Sequence, residues 1–183
     1  MKKEATGLYI LRLTLTLLII TAVVAAALAG VNAITAPRIA AATEAKTQEA
    51  ISAVLPGGGQ PVDAFTDETG LVSRVYASNT GYAVEVNPSG FGDTITMMVG
   101  IDKDGNVLGI SIISHAETAS LGAVAAATTS AGENFRGQFT GASGSVSVTK
   151  DGGEIDAITG ATITSRAVCD GVNAALDCVA GLG

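Results

Sequence analysis

The segment Asp156-Ala157-Ile158-Thr159-Gly160-Ala161-Thr162-Ile163-Thr164-Ser165 gathers four hydroxyl side chains just ahead of a stretch with helical spacing. A helix starting near Thr164 or Ser165 leaves its first backbone N–H groups without intrahelical partners. With the helix dipole, those groups form an anion site beside Thr162. Gly160 and Ala161 are small enough to let a phosphate approach it. The plainer reading is that Thr164 or Ser165 merely caps the helix. A cap, however, requires neither Asp156 nor the Gly-Ala pair. A threonine hydroxyl is a weak nucleophile unless a base or metal activates it. No base stands beside Thr162 in the sequence, so no catalytic residue is assigned and any activation must come from elsewhere.

A second cluster, His115-Ala116-Glu117-Thr118-Ala119-Ser120-Leu121-Gly122, holds the only histidine of the chain. It either lines a bound ligand, with Leu121 and Gly122 as an apolar close-packed wall, or is a solvent-facing loop. One histidine, two cysteines and no C-x-x-C pair argue against a zinc or iron–sulfur site. Cys169 and Cys178 are nine residues apart in a predicted helix, on opposite faces, which argues against a disulfide. Cys169 lies near Val172 and Leu176 and is expected to be buried packing; Cys178 is expected to be inert or exposed.

These clusters need elements to hold them. "LVSRVYAS" (71–78) and "GYAVEVNP" (81–88) read as two strands with a tight connection. "TITMMVGID" (94–102) and "NVLGISIIS" (106–114), joined by "DKDG", form a second hairpin that ends at His115. "ENFRGQF" (133–139) predicts a short helix, and "SGSVSVT" (143–149) alternates small and apolar residues. From Thr164 onward, Ala167, Val168, Val172, Ala175, Leu176 and Val179 recur at helical spacing. The expected class is α+β, an antiparallel sheet with flanking helices.

Upstream lies an apolar segment. Leu13 to Pro37 carries no charge, long enough for a bilayer span of about 20 residues. Lys2, Lys3 and Arg12 precede it, with Tyr9 at interface depth, which places residues 1–12 in the cytoplasm, a span over 13–36 and the body outside. A cleaved signal peptide is the alternative, since "AAALAG" offers a cleavage-like site, but the apolar run exceeds the usual length of about 7–15 residues. Residues 37–59 read as a stalk helix ending at Pro56 and a glycine hinge; residues 60–183 form the body. Residues 1–59 carry five bases against three acids, whereas residues 60–183 carry fourteen acids against five bases. An acidic body argues against nucleic acid.

The run Asp156-Ala157-Ile158-Thr159-Gly160-Ala161-Thr162 resembles the flavinylation motif of FMN-binding subunits. These are the G subunit of the Rnf-type ion-translocating electron-transport complex and the C subunit of sodium-translocating NADH:quinone reductase. The resemblance extends over "VNAITAPRIA", "VLPG", "GYAVEVNPSGFGDTITMMVGIDKDGNVLGI" and "HAETASLG". In the last, Ala119 and Ser120 stand where the family has Pro-Gly. Length and a single span favour the Rnf-type G subunit. The resemblance implies covalent FMN, linked by a phosphoester to Thr162 and attached by a flavin transferase that uses FAD. It further implies that Asp156, Thr159, Gly160, Ala161 and Thr164, with His115, Glu117, Thr118, Leu121 and Gly122, surround the cofactor. Membrane lipid and other membrane subunits of a complex coupling ferredoxin and NAD to ion movement are the implied partners. A stand-alone membrane-anchored flavin reductase or flavin-dependent sensor, or a non-redox pilin-like surface protein, are the competing readings. The last is disfavoured because the N-terminus lacks a pilin-type cleavage site and Arg12 stands at the start of the apolar run.

Overall fold

The computed structural model describes residues 2–182. Met1, Gly183 and the side chains of residues 2–6, the basic Lys2 and Lys3 among them, lie outside the described residues. The chain forms two compact units, one up to Ala45 and one from Lys46 onward.

The first unit is helical. Helix α1 runs over Lys2–Val54, and from Gly7 it is long and apolar enough to cross a membrane. Four of its threonines satisfy their hydroxyls internally: Thr14, Thr16, Thr21 and Thr35 donate to the carbonyls of Ile10, Arg12, Leu17 and Val31. That back-bonding is what an apolar surrounding demands of a hydroxyl on a helix. The sequence predicts a separate span and stalk divided at Pro37, yet the helix continues through this residue. A proline removes one backbone bond at a cost of about 3 kcal/mol, which long helical runs on both sides can absorb.

The second unit begins with the last turns of α1. Ala50, Ile51, Val54 and Leu55 are buried with Tyr76, Ala83 and Met98. Residues 46–55 are thus part of the body's packing rather than a free stalk. The helix stops at Val54, two residues before Pro56, because proline disfavours helical geometry at the residue preceding it. Gly57 and Gly58 then take positive φ values of 97° and 71°, turning the chain into the sheet.

Five antiparallel strands follow in the order β1-β2-β3-β4-β5: Gln60–Val62, Val72–Ala77, Gly81–Val86, Thr96–Asp102 and Val107–Ser114. Strands β2 to β5 fall inside the predicted segments. Strand β1 escapes a period-based reading because it has three residues, one of them Pro61, at a sheet edge where proline is tolerated. Registry fixes the faces. Val75, Val84, Val99 and Ile110 are paired in line across four strands and enter the main core. Ala83 and Met98 point to the other face, under α1. Both faces of β3 and β4 are covered, so these strands read as nearly continuous apolar runs rather than clean alternation.

Two helices lie against the main core. Helix α2 is Ser130–Gly137, starting three residues before the predicted position because Thr129 caps it, its hydroxyl accepting the Gly132 N–H at 3.4 Å. Helix α3 is Thr162–Ala180, burying Val168, Val172, Ala175 and Leu176 against the sheet. Residues 143–149 form no strand; they supply one parallel bridge, Val148 to Ile155, and then a tight turn through Thr149–Asp151. The α+β class predicted from the sequence is the class observed.

Candidate functional site

Helix α3 begins at Thr162, two residues earlier than the spacing predicts. Gly160 makes this possible by adopting φ +79°, and Ala161 follows as the residue at the cap position, where it offers no side-chain bond. The expectation that Thr164 or Ser165 caps the helix is therefore corrected. Ser165 donates to the Ala161 carbonyl and accepts the Ile158 N–H, both at 3.0 Å, stitching the preceding turn to the helix. Thr164 is buried and donates to Glu117 Oε2 at 2.5 Å. The first i to i−4 backbone bond is Ser165 N–H to Ala161 O at 3.0 Å. The amides of Thr162, Ile163 and Thr164 precede it, which is where a helix offers its unpaired donors.

Thr162 and Thr164, two residues apart, project about 200° apart around the helix. Thr164 points inward and Thr162 faces a cleft of about 360 Å³. Lys150 Nζ donates to the Thr162 hydroxyl at 3.2 Å. Next to it, Arg166 holds Asp151 through two bonds of 2.6 and 2.7 Å, and the guanidinium keeps that carboxyl below its ordinary range. Apolar walls come from Phe91, Leu121 and Ile163, which are 66%, 41% and 50% exposed.

The cleft joins what the sequence keeps apart. Glu117, Thr118, Leu121 and Gly122 line it together with Gly160, Ala161, Thr162 and Thr164. Three predicted residues do not. His115 is exposed and turns its ring onto its own loop, Nδ1 accepting the Glu117 N–H at 3.2 Å. Asp156 is clamped through its backbone by Gln138, whose Oε1 accepts the Asp156 N–H at 2.7 Å. Thr159 is exposed on the approach to the Gly160 turn. Phe91, Lys150 and Ile163 are lining residues that the sequence reading missed. A phenylalanine between two glycines, in a chain with four phenylalanines, was the available signal for the first.

Glu117 lines the cleft while turning its carboxylate away from solvent. It is buried, and its carboxylate faces protein donors, Thr164 and the Gly92 N–H at 3.0 Å. Cys169 and Cys178 are both free and both buried, so burial agrees with the packing expected of Cys169 and corrects an exposed Cys178. Helix α3 is enclosed on most of its circumference, so opposite faces are not a buried and a solvent face. Burial pushes the Cys169 thiol up to about 12 and raises Cys178 as well, which disfavours the thiolate form of both. Among the described residues no group of three or more His, Cys, Asp or Glu could hold a metal.

The residues present fit FMN. Helix-start amides and Lys150 suit a phosphate, and three exposed apolar side chains suit a flat ring. The floor is cut close: a Cβ on Gly160 would come 3.0 Å from Leu121, and one on Gly122 would strike Glu117 and Thr164. Similarity to known proteins agrees with this chemistry. The family described as the FMN-binding domain matches residues 90–177, from the Phe91 loop through most of α3. The G subunit of the ion-translocating oxidoreductase complex of Methanosarcina acetivorans is 32% identical, over 93% of this chain and 94% of its own. The G subunit of the Na⁺-translocating ferredoxin:NAD⁺ oxidoreductase complex of Acetobacterium woodii is 35% identical, over 90% of this chain and 88% of its own. The corresponding G subunit of Stutzerimonas stutzeri is 32% identical, over 89% and 78%. With such coverage across the apolar helix, the sheet and the Thr162 helix, the chain belongs to the family of G subunits of ion-translocating oxidoreductase complexes and carries that family's FMN-binding domain.

Proposed function

We propose that this protein is a membrane-anchored covalent flavoprotein subunit, relaying electrons through FMN linked to Thr162 within an ion-translocating ferredoxin:NAD oxidoreductase complex. The observation that carries the reading is Thr162 itself. It is the first residue of α3, its hydroxyl faces the cleft, and Lys150 reaches it at 3.2 Å. In attachment, the Thr162 oxygen forms a bond to the flavin-side phosphorus of FAD while the pyrophosphate P–O bond breaks. AMP leaves, and the hydroxyl proton passes to a base of the flavin transferase, because Lys150, the basic side chain hydrogen-bonded to Thr162 among the described residues, already donates to that oxygen as an ammonium. The helix-start amides and Lys150 then hold the phosphoester, while Phe91, Leu121 and Ile163 give the ring apolar contact. Bound FMN supplies the electron-transfer chemistry, and the protein orients it.

Residues 13–36 cross the membrane in this reading, with residues 1–12 cytoplasmic and 60–183 extracytoplasmic. The supporting features are the apolar stretch of α1 and the basic residues ahead of it. A covalent tether keeps the cofactor where free flavin is scarce. The other membrane subunits of the complex are its stable partners and the transferase a transient one.

Coexpression with the transferase, followed by peptide mass spectrometry, tests the assignment. The FMN mass is expected on Thr162, and Thr162→Ala is expected to fold without covalent flavin. An FMN mass on Thr159, Thr164 or Ser165 would overturn it. Copurification with multi-span partners separates a component of a complex from a stand-alone reductase or sensor.

A further inference from the structure

We infer that Glu117 is a positioning residue that presents Thr162 for flavinylation by tying the first turn of α3 to the Gly90–Gly92 loop. The inference rests on the reading of Thr162 as acceptor but assigns Glu117 a role apart from contact with the flavin.

The start of α3 lacks a side-chain cap, Ala161 standing at that position. Beyond the local bonds of Ser165, the first turn therefore depends on tertiary ones. The buried one is Thr164 Oγ1 to Glu117 Oε2 at 2.5 Å, a charge-assisted bond. The second oxygen of the same carboxylate, Oε1, accepts the Gly92 N–H at 3.0 Å. One side chain thus joins two segments that lie 47 and 25 residues from it in sequence. Packing leaves no slack around it. A Cβ on Gly90 would run into Oε1, one on Gly122 into Oε2, and one on Gly92 into the Ala116 carbonyl.

Geometry sets the consequence. Thr164 points inward and Thr162 outward on the same helical turn, so a rotation that releases Thr164 swings Thr162 away from Lys150. Phe91 sits between Gly90 and Gly92 and lines the same cleft, so the Gly92 bond fixes the opposite wall. Both oxygens of Glu117 are committed to protein donors, and the side chain is 9% exposed. Its place is in the wall of the cleft, where it acts as a brace.

Full-length protein in detergent, supplied with flavin transferase and FAD, gives the rate of covalent incorporation. Thr164→Val keeps the shape and removes the donor; Thr164→Ser keeps the donor. The Val variant is expected to incorporate about tenfold more slowly, to the same final stoichiometry, while the Ser variant stays within about twofold of wild type. In flavin-free protein, amide exchange of Thr162–Thr164 and of Gly92 should accelerate together in Thr164→Val and in Glu117→Gln. A Val variant that loses thermal stability yet incorporates flavin at the wild-type rate would reduce the bond to a structural contact and overturn the proposal. So would faster exchange confined to α3. Wild-type protein that takes no flavin on Thr162 sinks the acceptor reading instead. The exchange data then decide the brace alone: joint acceleration supports it, and independent behaviour overturns it.

Discussion

Lys150 brings an ammonium to 3.2 Å from the Thr162 hydroxyl in a body with few bases, and Ser120 holds a left-handed backbone two residues before Gly122. The two make separate predictions. A phosphate at Thr162 would exchange part of its water for the Lys150 charge, a bond to a charged group being worth roughly 1.5–3 kcal/mol. Lys150→Gln is therefore expected to slow covalent FMN incorporation about tenfold without changing the melting temperature of the apo chain. Stopped incorporation assays at several times report this directly. Ser120 takes φ +63° where the resembling family has glycine, so the loop keeps a conformation that its present residue disfavours. Ser120→Gly is expected to stabilise the protein by about 0.5–1 kcal/mol, the relief of left-handed strain exceeding the added freedom of the unfolded chain. Urea unfolding measures it, and a loss of stability would place the strain elsewhere.

Among the elements, the end of α1 meets the sheet at Gly100 with no strand side chain between them. A Cβ added to Gly100 on β4 would lie 2.8 Å from Val54 Cβ. Gly100 thus gives the helix a close approach to the sheet, beside the small cluster of Ala50, Ile51, Val54 and Leu55 with Tyr76, Ala83 and Met98. Gly100→Ala is expected to cost about 1–3 kcal/mol by overpacking and to make the Gly57–Gly59 turn more susceptible to protease. Unchanged unfolding and cleavage would mean that the last helical turns are not docked in solution. Helix α3 behaves differently: its enclosed circumference secures its middle, while its first turn depends on a few polar bonds. This divides the helix into an anchored part and a part whose position is set by Glu117 and Ser165.

The whole molecule responds to pH through groups that burial and partners displace. Asp67, Asp102 and Asp151 are held below the ordinary carboxylate range despite partial desolvation, by bonds from Thr69 and Val72, from Asn106, and from Arg166. Their contribution is present above the unfolded carboxylate value and is lost as pH falls through the lowered folded values. Asp170, raised by burial, acts in the opposite sense and offsets part of that loss. At the alkaline end Cys169 is pushed up to about 12 by burial. A thiol raised in the folded state gives stability that is complete below the unfolded value of about 8.5 and is lost as pH rises toward the folded one. Cys169→Ala is accordingly expected to show a smaller drop in melting temperature than wild type on going from about pH 8 to about pH 11. Parallel drops in both proteins would show that Cys169 titrates normally, and hence is not buried as described.

The four longer strands, the apolar helix and the helix beginning near Thr162 were legible in the sequence because each is written in local periodicity. Turn residues such as Asp102-Lys103-Asp104-Gly105 bound the hairpins, and α3 repeats its apolar residues every three or four positions. The segment proposed as the acceptor, too, is a local string. What the tertiary structure decided is which strings meet. Thr164 and Glu117, 47 residues apart, share a bond, and Lys150 and Phe91 join the same cleft, because sheet order and register bring their loops to one end of α3. No local period encodes such a meeting. Orientation at the loop was equally unreadable: His115 and Glu117, two residues apart, face solvent and interior respectively. A loop has no regular repeat from which a side chain's direction follows, so only the donors waiting at Gly92 and Thr164 determine that the carboxylate, and not the imidazole, turns inward.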